Sequence, residues 1–126
     1  FRSLAIDDDT DIRFLGFVPD DDLAPLYAGA TVFAYPSERE GFGLPVAEAM
    51  AQGTPVVTSR GTSTEEVAGG AAVLVDPFEV DDIARGLREA VERSGELAAL
   101  GRARAQSLSW RSAADATLAV YREVSA

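Results

Sequence analysis

Glu40 and Glu48 stand with seven residues between them and bracket the densest run of unusual residues in the chain: Glu38-Arg39-Glu40-Gly41-Phe42-Gly43-Leu44-Pro45-Val46-Ala47-Glu48. Gly41 and Gly43 lack a Cβ, so the backbone can turn sharply there and a ligand can come close to the amides. Pro45 suits the first turn of a helix, so the free N–H groups of Gly43, Leu44 and Val46 are expected to form an anion site at that helix start. Glu40 precedes the turn. Glu48 lies about one helical turn in, between Leu44 and Ala51 with Gln52. Two carboxylates beside a phosphate site add like charge, which is unfavourable for phosphate alone. They suit a ligand with hydroxyls on both sides of a phosphate, because carboxylates accept hydrogen bonds from adjacent hydroxyls while amides hold the diphosphate. A nucleoside diphosphate sugar has that order of ribose, diphosphate and hexose. The same spacing also suits a plain connection in which the glycines turn the chain and both glutamates are solvated.

Composition removes other chemistries. There is no histidine and no cysteine, and the 11 basic residues are all arginine. Imidazole catalysis, thiolate metal sites, disulfides and a P-loop lysine are therefore excluded within this sequence. Gly41 and Gly43 are followed by Val46, which breaks the dinucleotide fingerprint. The net charge of −10, from 21 acidic and 11 basic residues, repels a nucleic-acid backbone, so nucleic acid is not an expected partner. The aspartate runs at Asp7–Asp9 and Asp20–Asp22 read as loop and helix-start residues, and no metal site is expected. No apolar stretch reaches the roughly 18 residues of a membrane span, and a cytoplasmic chain is expected.

The elements that must position these residues follow from pattern. Four β-branched or aromatic runs read as strands: Ile12–Val18, Thr31–Tyr35, Pro55–Thr58 and Ala71–Val75. The last three are apolar nearly throughout, which suits strands covered on both faces. Helical stretches separate them, so the fold expected is α/β, a Rossmann-like parallel sheet with flanking helices. Asp20–Asp22 open a helix bearing Leu23, Leu26 and Tyr27. Gly53 closes the helix of Glu48, and Ser63 with Glu66 has capping-box spacing. Ile83, Leu87, Ala90 and Val91 form one apolar face. Ser109 caps a terminal helix with a stripe of Trp110, Ala114, Thr117, Leu118, Tyr121 and Val124. Ligands of such sheets bind beyond the carboxyl ends of the strands, which selects Gly16–Asp20, Pro36–Leu44 and Ser59–Thr64.

The run from Glu38 to Val57 resembles the signature of the retaining family-4 (group 1) glycosyltransferases of the GT-B fold: a Glu, seven residues and a second Glu, with G-F-G-L-P between and E-A-M-A-x-G-x-P-V-V after. Phe14–Pro19, Leu23–Ala30, Val32–Ser37, Glu65–Val67, Val73–Pro77 and Ser109–Trp110 also match. The resemblance implies that Glu40 contacts donor-sugar hydroxyls near the reacting carbon and serves catalysis, and that Glu48 holds the ribose. It implies that the amides of Gly41, Phe42, Gly43 and Leu44 line the sugar and diphosphate, with Gly16, Phe17 and Val18 near the base. A hexosyl group, mannose or glucose, would pass from a nucleoside diphosphate sugar to a hydroxyl of a lipid, glycan or small molecule, with retention and with no metal or cofactor.

By the same resemblance, residues 1–126 are expected to be the later portion of the C-terminal donor domain. The N-terminal acceptor domain and the first strands, with the Arg and Lys that clamp the diphosphate, would lie outside it, and the chain alone would be inactive. The terminal helix would cross back toward that domain, through which peripheral membrane contact is conceivable, and an open sheet edge would invite a homodimer. Two features depart from the family pattern. Ala68–Ala72 replaces its D-G-x-x-G, so that Glu65 could face the sugar, and Arg60 is a candidate clamp or a solvated loop residue. The alternative function is a non-catalytic nucleotide-sugar-binding or interaction module. A third candidate is an epimerase or phosphorylase; a pyridoxal phosphorylase would need a lysine that this sequence does not have.

Overall fold

The computed structural model describes residues 11–125, in which a parallel sheet is flanked by helices on both faces. The elements are α1 (Asp20–Gly29), β1 (Phe33–Tyr35), α2 (Leu44–Gln52), β2 (Val56–Ser59), α3 (Ser63–Ala68), β3 (Val73–Val75), α4 (Val80–Glu92), α5 (Ser94–Ser107) and α6 (Trp110–Val124). The three strands run in the order β1-β2-β3, all parallel. Phe33 lies opposite Val56, Tyr35 opposite Thr58, and Ser59 opposite Val75.

Alternation along the strands divides the core in two. Val56 on one face packs with Val46, Ala49, Met50, Val67, Ala68 and Ala71, joining α2 and α3 to the sheet. Val57, Val73 and Val75 on the other face pack with Ala90 of α4 and Leu97 of α5. Gly86 allows α4 to lie directly on the sheet, since a Cβ there would run into Cγ1 of Val75. β2 is buried throughout, its polar Thr58 and Ser59 included, whereas Ala34 of the edge strand β1 is exposed.

Several expectations are corrected. Ile12–Val18 is not a strand: it pairs with none of the described strands, and Phe14 and Phe17 are 80% and 91% exposed. A β-rich run becomes a strand only where a neighbour supplies ladder partners. Asp20–Asp22 occupy the first turn of α1 without a side-chain cap, so they act on the helix dipole alone. The Ser63–Glu66 capping box does not form; Thr62 is the N-cap residue and makes no capping bond. Ser109 does cap α6, accepting from the Ser112 N–H at 3.0 Å, yet none of α6's apolar stripe is buried among the described residues, and Trp110 is 86% exposed. α5 was not anticipated as a separate helix. It is tied down by two arginines: Arg102 donates to the Gln52 carbonyl, and Arg104 to the carbonyls of Val67 (2.9 Å) and Glu66 (2.8 Å). These guanidinium groups lie over Gly53 and Gly69, the left-handed residues that end α2 and α3. Cations there meet the negative ends of both helices.

One buried group is orphaned. Ser59 is 0% exposed, and its Oγ has no hydrogen-bond partner. An unpaired buried hydroxyl costs about 1–3 kcal/mol, so Ser59→Ala is expected to stabilise the protein. A rise in the urea midpoint with an unchanged slope is the expected result, and a fall would show that the hydroxyl is satisfied in solution.

Candidate functional site

The carboxyl end of β1 leads through Pro36–Glu40 into the turn Gly41-Phe42-Gly43, from which α2 starts. Gly43 is the N-cap of α2 at φ 97° and ψ 45°, a left-handed conformation that favours glycine. A Cβ on it would also fall 2.7 Å from Cγ2 of Thr64, so the turn is pressed against the start of α3. Ser63 adds a tie, its Oγ donating to the Glu40 carbonyl at 2.7 Å. Beneath it Thr58, Thr62 and Thr64 share a chain of hydroxyl contacts at 2.8 and 2.7 Å, with Thr58 also 2.9 Å from the Tyr35 carbonyl oxygen. The hydroxyl-bearing residues after β2 thus form a backing for the glycine turn.

Glu40 lies between the carboxyl end of β1 and the glycine turn, and Glu48 lies in the exposed face of α2, the helix that this turn opens. Each is held by a tyrosine that sequence reasoning missed. Tyr35 donates its phenolic proton to Oε2 of Glu40 at 2.5 Å, and Tyr27 of α1 donates to Oε2 of Glu48 at 3.1 Å. The two phenols are linked by Phe33, which stacks on Tyr35 at 5.9 Å and meets Tyr27 edge-on at 5.1 Å. The Tyr35 phenol is shifted upward by its bond to Glu40 and by burial. Burial first, and then the bond to Glu48, pushes the Tyr27 phenol up to about 12. Both therefore stay protonated, and act as donors, throughout the neutral range. The signal for them was local: Tyr27 and Tyr35 sit inside Leu23–Ala30 and Val32–Ser37, two segments already singled out.

The amides are arranged differently from the expectation. Val46 N–H is used within the turn, donating to the Gly43 carbonyl at 3.0 Å, and so is not free. Gly41 N–H donates to Oε1 of Glu40 at 3.2 Å. Phe42 and Leu44 are about half exposed at the mouth of the turn. Gly16, Phe17 and Val18 lie in a segment without regular structure, and among the described residues no hydrogen bond ties them to the glutamates. Glu65 accepts from the Gly61 N–H at 2.6 Å, and Arg60 reaches the Leu74 carbonyl over β3. No helix among the described residues is long and apolar enough to cross a membrane.

A parallel sheet flanked by helices, with a glycine turn leading from a strand end into a helix start, is the architecture of a GT-B glycosyltransferase domain. The structure of sucrose-phosphate synthase from Thermosynechococcus elongatus matches it with a TM-score of 0.76 and 30% identity, over 89% of this chain and 30% of that chain. The chain belongs to the family of glycosyl transferases group 1, which it matches over residues 4–107. It is 46% identical over 114 residues to O-antigen chain mannosyltransferase B of Escherichia coli, covering 88% of this chain and 30% of that protein. It is 43% identical over 109 residues to the MMP alpha-(1->4)-mannosyltransferase of Mycolicibacterium hassiacum, covering 81% and 26%. A D-inositol 3-phosphate glycosyltransferase of Nocardioides is 41% identical over 120 residues, covering 91% and 26%. The chain thus spans 30% or less of the length of these relatives.

Proposed function

We propose that this chain is the donor-binding part of an enzyme that moves a hexosyl group from a nucleoside diphosphate sugar to a hydroxyl acceptor with retention at the anomeric carbon. The single observation that carries it is the glycine turn that opens α2 with a carboxylate on either side of it, Glu40 before and Glu48 after, each bonded to a phenol. In this reading Glu40 serves the sugar and Glu48 the ribose. The amides of Phe42, Gly43 and Leu44, at the positive end of α2, take the diphosphate and the charge that grows on it as the sugar leaves, while the Gly41 amide holds Glu40. Gly16, Phe17 and Val18 border the base. The remainder of the protein holds the acceptor, and the exposed stripe of α6 packs against it. Two of the relatives are mannosyltransferases by name, so mannose is the first sugar to test.

Calorimetric titration of the full-length protein with UDP, GDP, ADP and their common sugar conjugates tests the reading. One diphosphate is expected to bind selectively, and Glu48→Ala to weaken it about 10- to 100-fold through the lost charged hydrogen bonds. Binding of none of them would leave a non-catalytic interaction module. Donor binding is also expected to survive a chelator, because in this reading the turn amides and the positive end of α2, and not an ion, hold the diphosphate. Loss of binding in the chelator, restored by a divalent ion, would overturn metal independence.

A further inference from the structure

We propose that Tyr35 and Tyr27 are positioning residues that act separately on the two halves of the donor, Tyr35 through Glu40 on the sugar and Tyr27 through Glu48 on the nucleotide. The proposal rests on the donor-site reading above. Both oxygens of Glu40 already accept one bond each, Oε2 from the Tyr35 phenol at 2.5 Å and Oε1 from the Gly41 amide at 3.2 Å. A carboxylate has about four lone-pair sites, so two are fixed by the protein and two remain for ligand hydroxyls. With both oxygens anchored, the plane of the carboxylate is set before any ligand arrives, and less ordering entropy is lost on binding. A phenol suits this task because it is neutral. It orients the carboxylate without cancelling the charge that the ligand's hydroxyls need, as an arginine or lysine would.

The ring itself is held by its stack on Phe33 and leaves only two side-chain torsions to fix. Tyr27 repeats the arrangement from α1, edge-on to the same Phe33, and reaches Glu48 across 21 residues of sequence. Three consecutive rings therefore join the anchors of both carboxylates into one rigid strip along the site.

Phenylalanine removes each hydroxyl while keeping each ring in the strip, so the two roles can be read apart. The measurements are the affinities of GDP and GDP-mannose, and of UDP and UDP-glucose, for the full-length protein. Tyr35→Phe is expected to leave the diphosphate affinity unchanged and to reduce the extra affinity given by the sugar about five- to tenfold. Tyr27→Phe is expected to weaken the diphosphate and its sugar conjugate by the same factor, about five- to tenfold, leaving the sugar's increment intact. In a Glu40→Ala background Tyr35→Phe should have no further effect, because its whole action runs through that carboxylate. Equal loss of both quantities in both variants, or loss of the folded state in either, would show that the hydroxyls serve the fold as a whole and not one half of the donor each, and would overturn the proposal. An unchanged sugar increment in Tyr35→Phe, while Glu40→Ala abolishes it, would also overturn the proposal and leave the donor site standing. If no nucleoside diphosphate, ADP included, binds the wild-type protein, the donor-site reading fails first and this proposal with it.

Discussion

Glu40→Gln is expected to lower turnover of bound donor about 100-fold or more, the range seen when one preorganised polar contact to a reacting centre is removed, while the diphosphate still binds. The substitution keeps the shape of the side chain and changes its hydrogen-bonding sense. Both oxygens of Glu40 face donors, the Tyr35 phenol and the Gly41 amide. A glutamine that keeps its oxygen toward the Gly41 amide turns its NH2 toward the Tyr35 phenol, which must then rotate its proton away and accept instead of donate. The charge is lost as well, and a neutral amide accepts hydroxyl hydrogen bonds less strongly than a carboxylate. Single-turnover rates and diphosphate affinity, measured on the full-length protein, separate these effects. Loss of diphosphate affinity with an unchanged rate from bound donor would reassign Glu40 from the sugar to the nucleotide.

Gly43→Ala should damage stability and binding together. An L-residue in the left-handed region costs roughly 1–2 kcal/mol, and the new methyl would also press on Cγ2 of Thr64 at 2.7 Å. Together these should remove about 2–4 kcal/mol of stability, the range of a substitution with a named steric cause. They should also tilt the start of α2 enough to abolish diphosphate binding. Gly41 is the internal control: it lacks a positive φ and a Cβ on it would meet nothing within 4 Å, so Gly41→Ala should change stability by less than about 0.5 kcal/mol. Adding Thr64→Ser to Gly43→Ala removes the methyl contact and keeps the hydroxyl chain, and should restore about half of the lost stability. Urea unfolding of the three variants beside the wild-type protein checks the set. Equal stability of Gly41→Ala and Gly43→Ala would show that the turn is plastic.

Much of this architecture is legible in the residues themselves. The valine-rich runs before Ser59 and Asp76 announce covered parallel strands, and Gly43, Pro45 and Gly53 bound α2 because their backbone preferences are local. What escapes local reading depends on partners remote in sequence. Ile12–Val18 has strand composition, yet no neighbour among the described residues completes its ladder. Ser63 has the spacing of a cap, but its hydroxyl is drawn to the Glu40 carbonyl, 23 residues away. α5 hides because only Leu97 and Gly101 are buried in it, and its hold on the domain comes from arginines that look like solvent-facing residues. Spacing singles out the two candidate glutamates, whereas the tyrosines bonded to them become visible only when β1 and α1 are placed against α2.

The two arginines of α5 have a practical bearing on protein engineering. Donor preference in such proteins invites chimeras in which the segment from Glu40 to Gly53 is exchanged between relatives. Here that segment ends on a carbonyl held by Arg102, and the adjoining α3, which backs the glycine turn, ends on carbonyls held by Arg104. A transplanted segment that carries a side chain in place of Gly53 would be strained at φ 77° and would push the Arg102 guanidinium off the Gln52 carbonyl. Crossover points for functional chimeras therefore belong after Ser107 rather than after Gly53, so that lock and key travel as a single cassette.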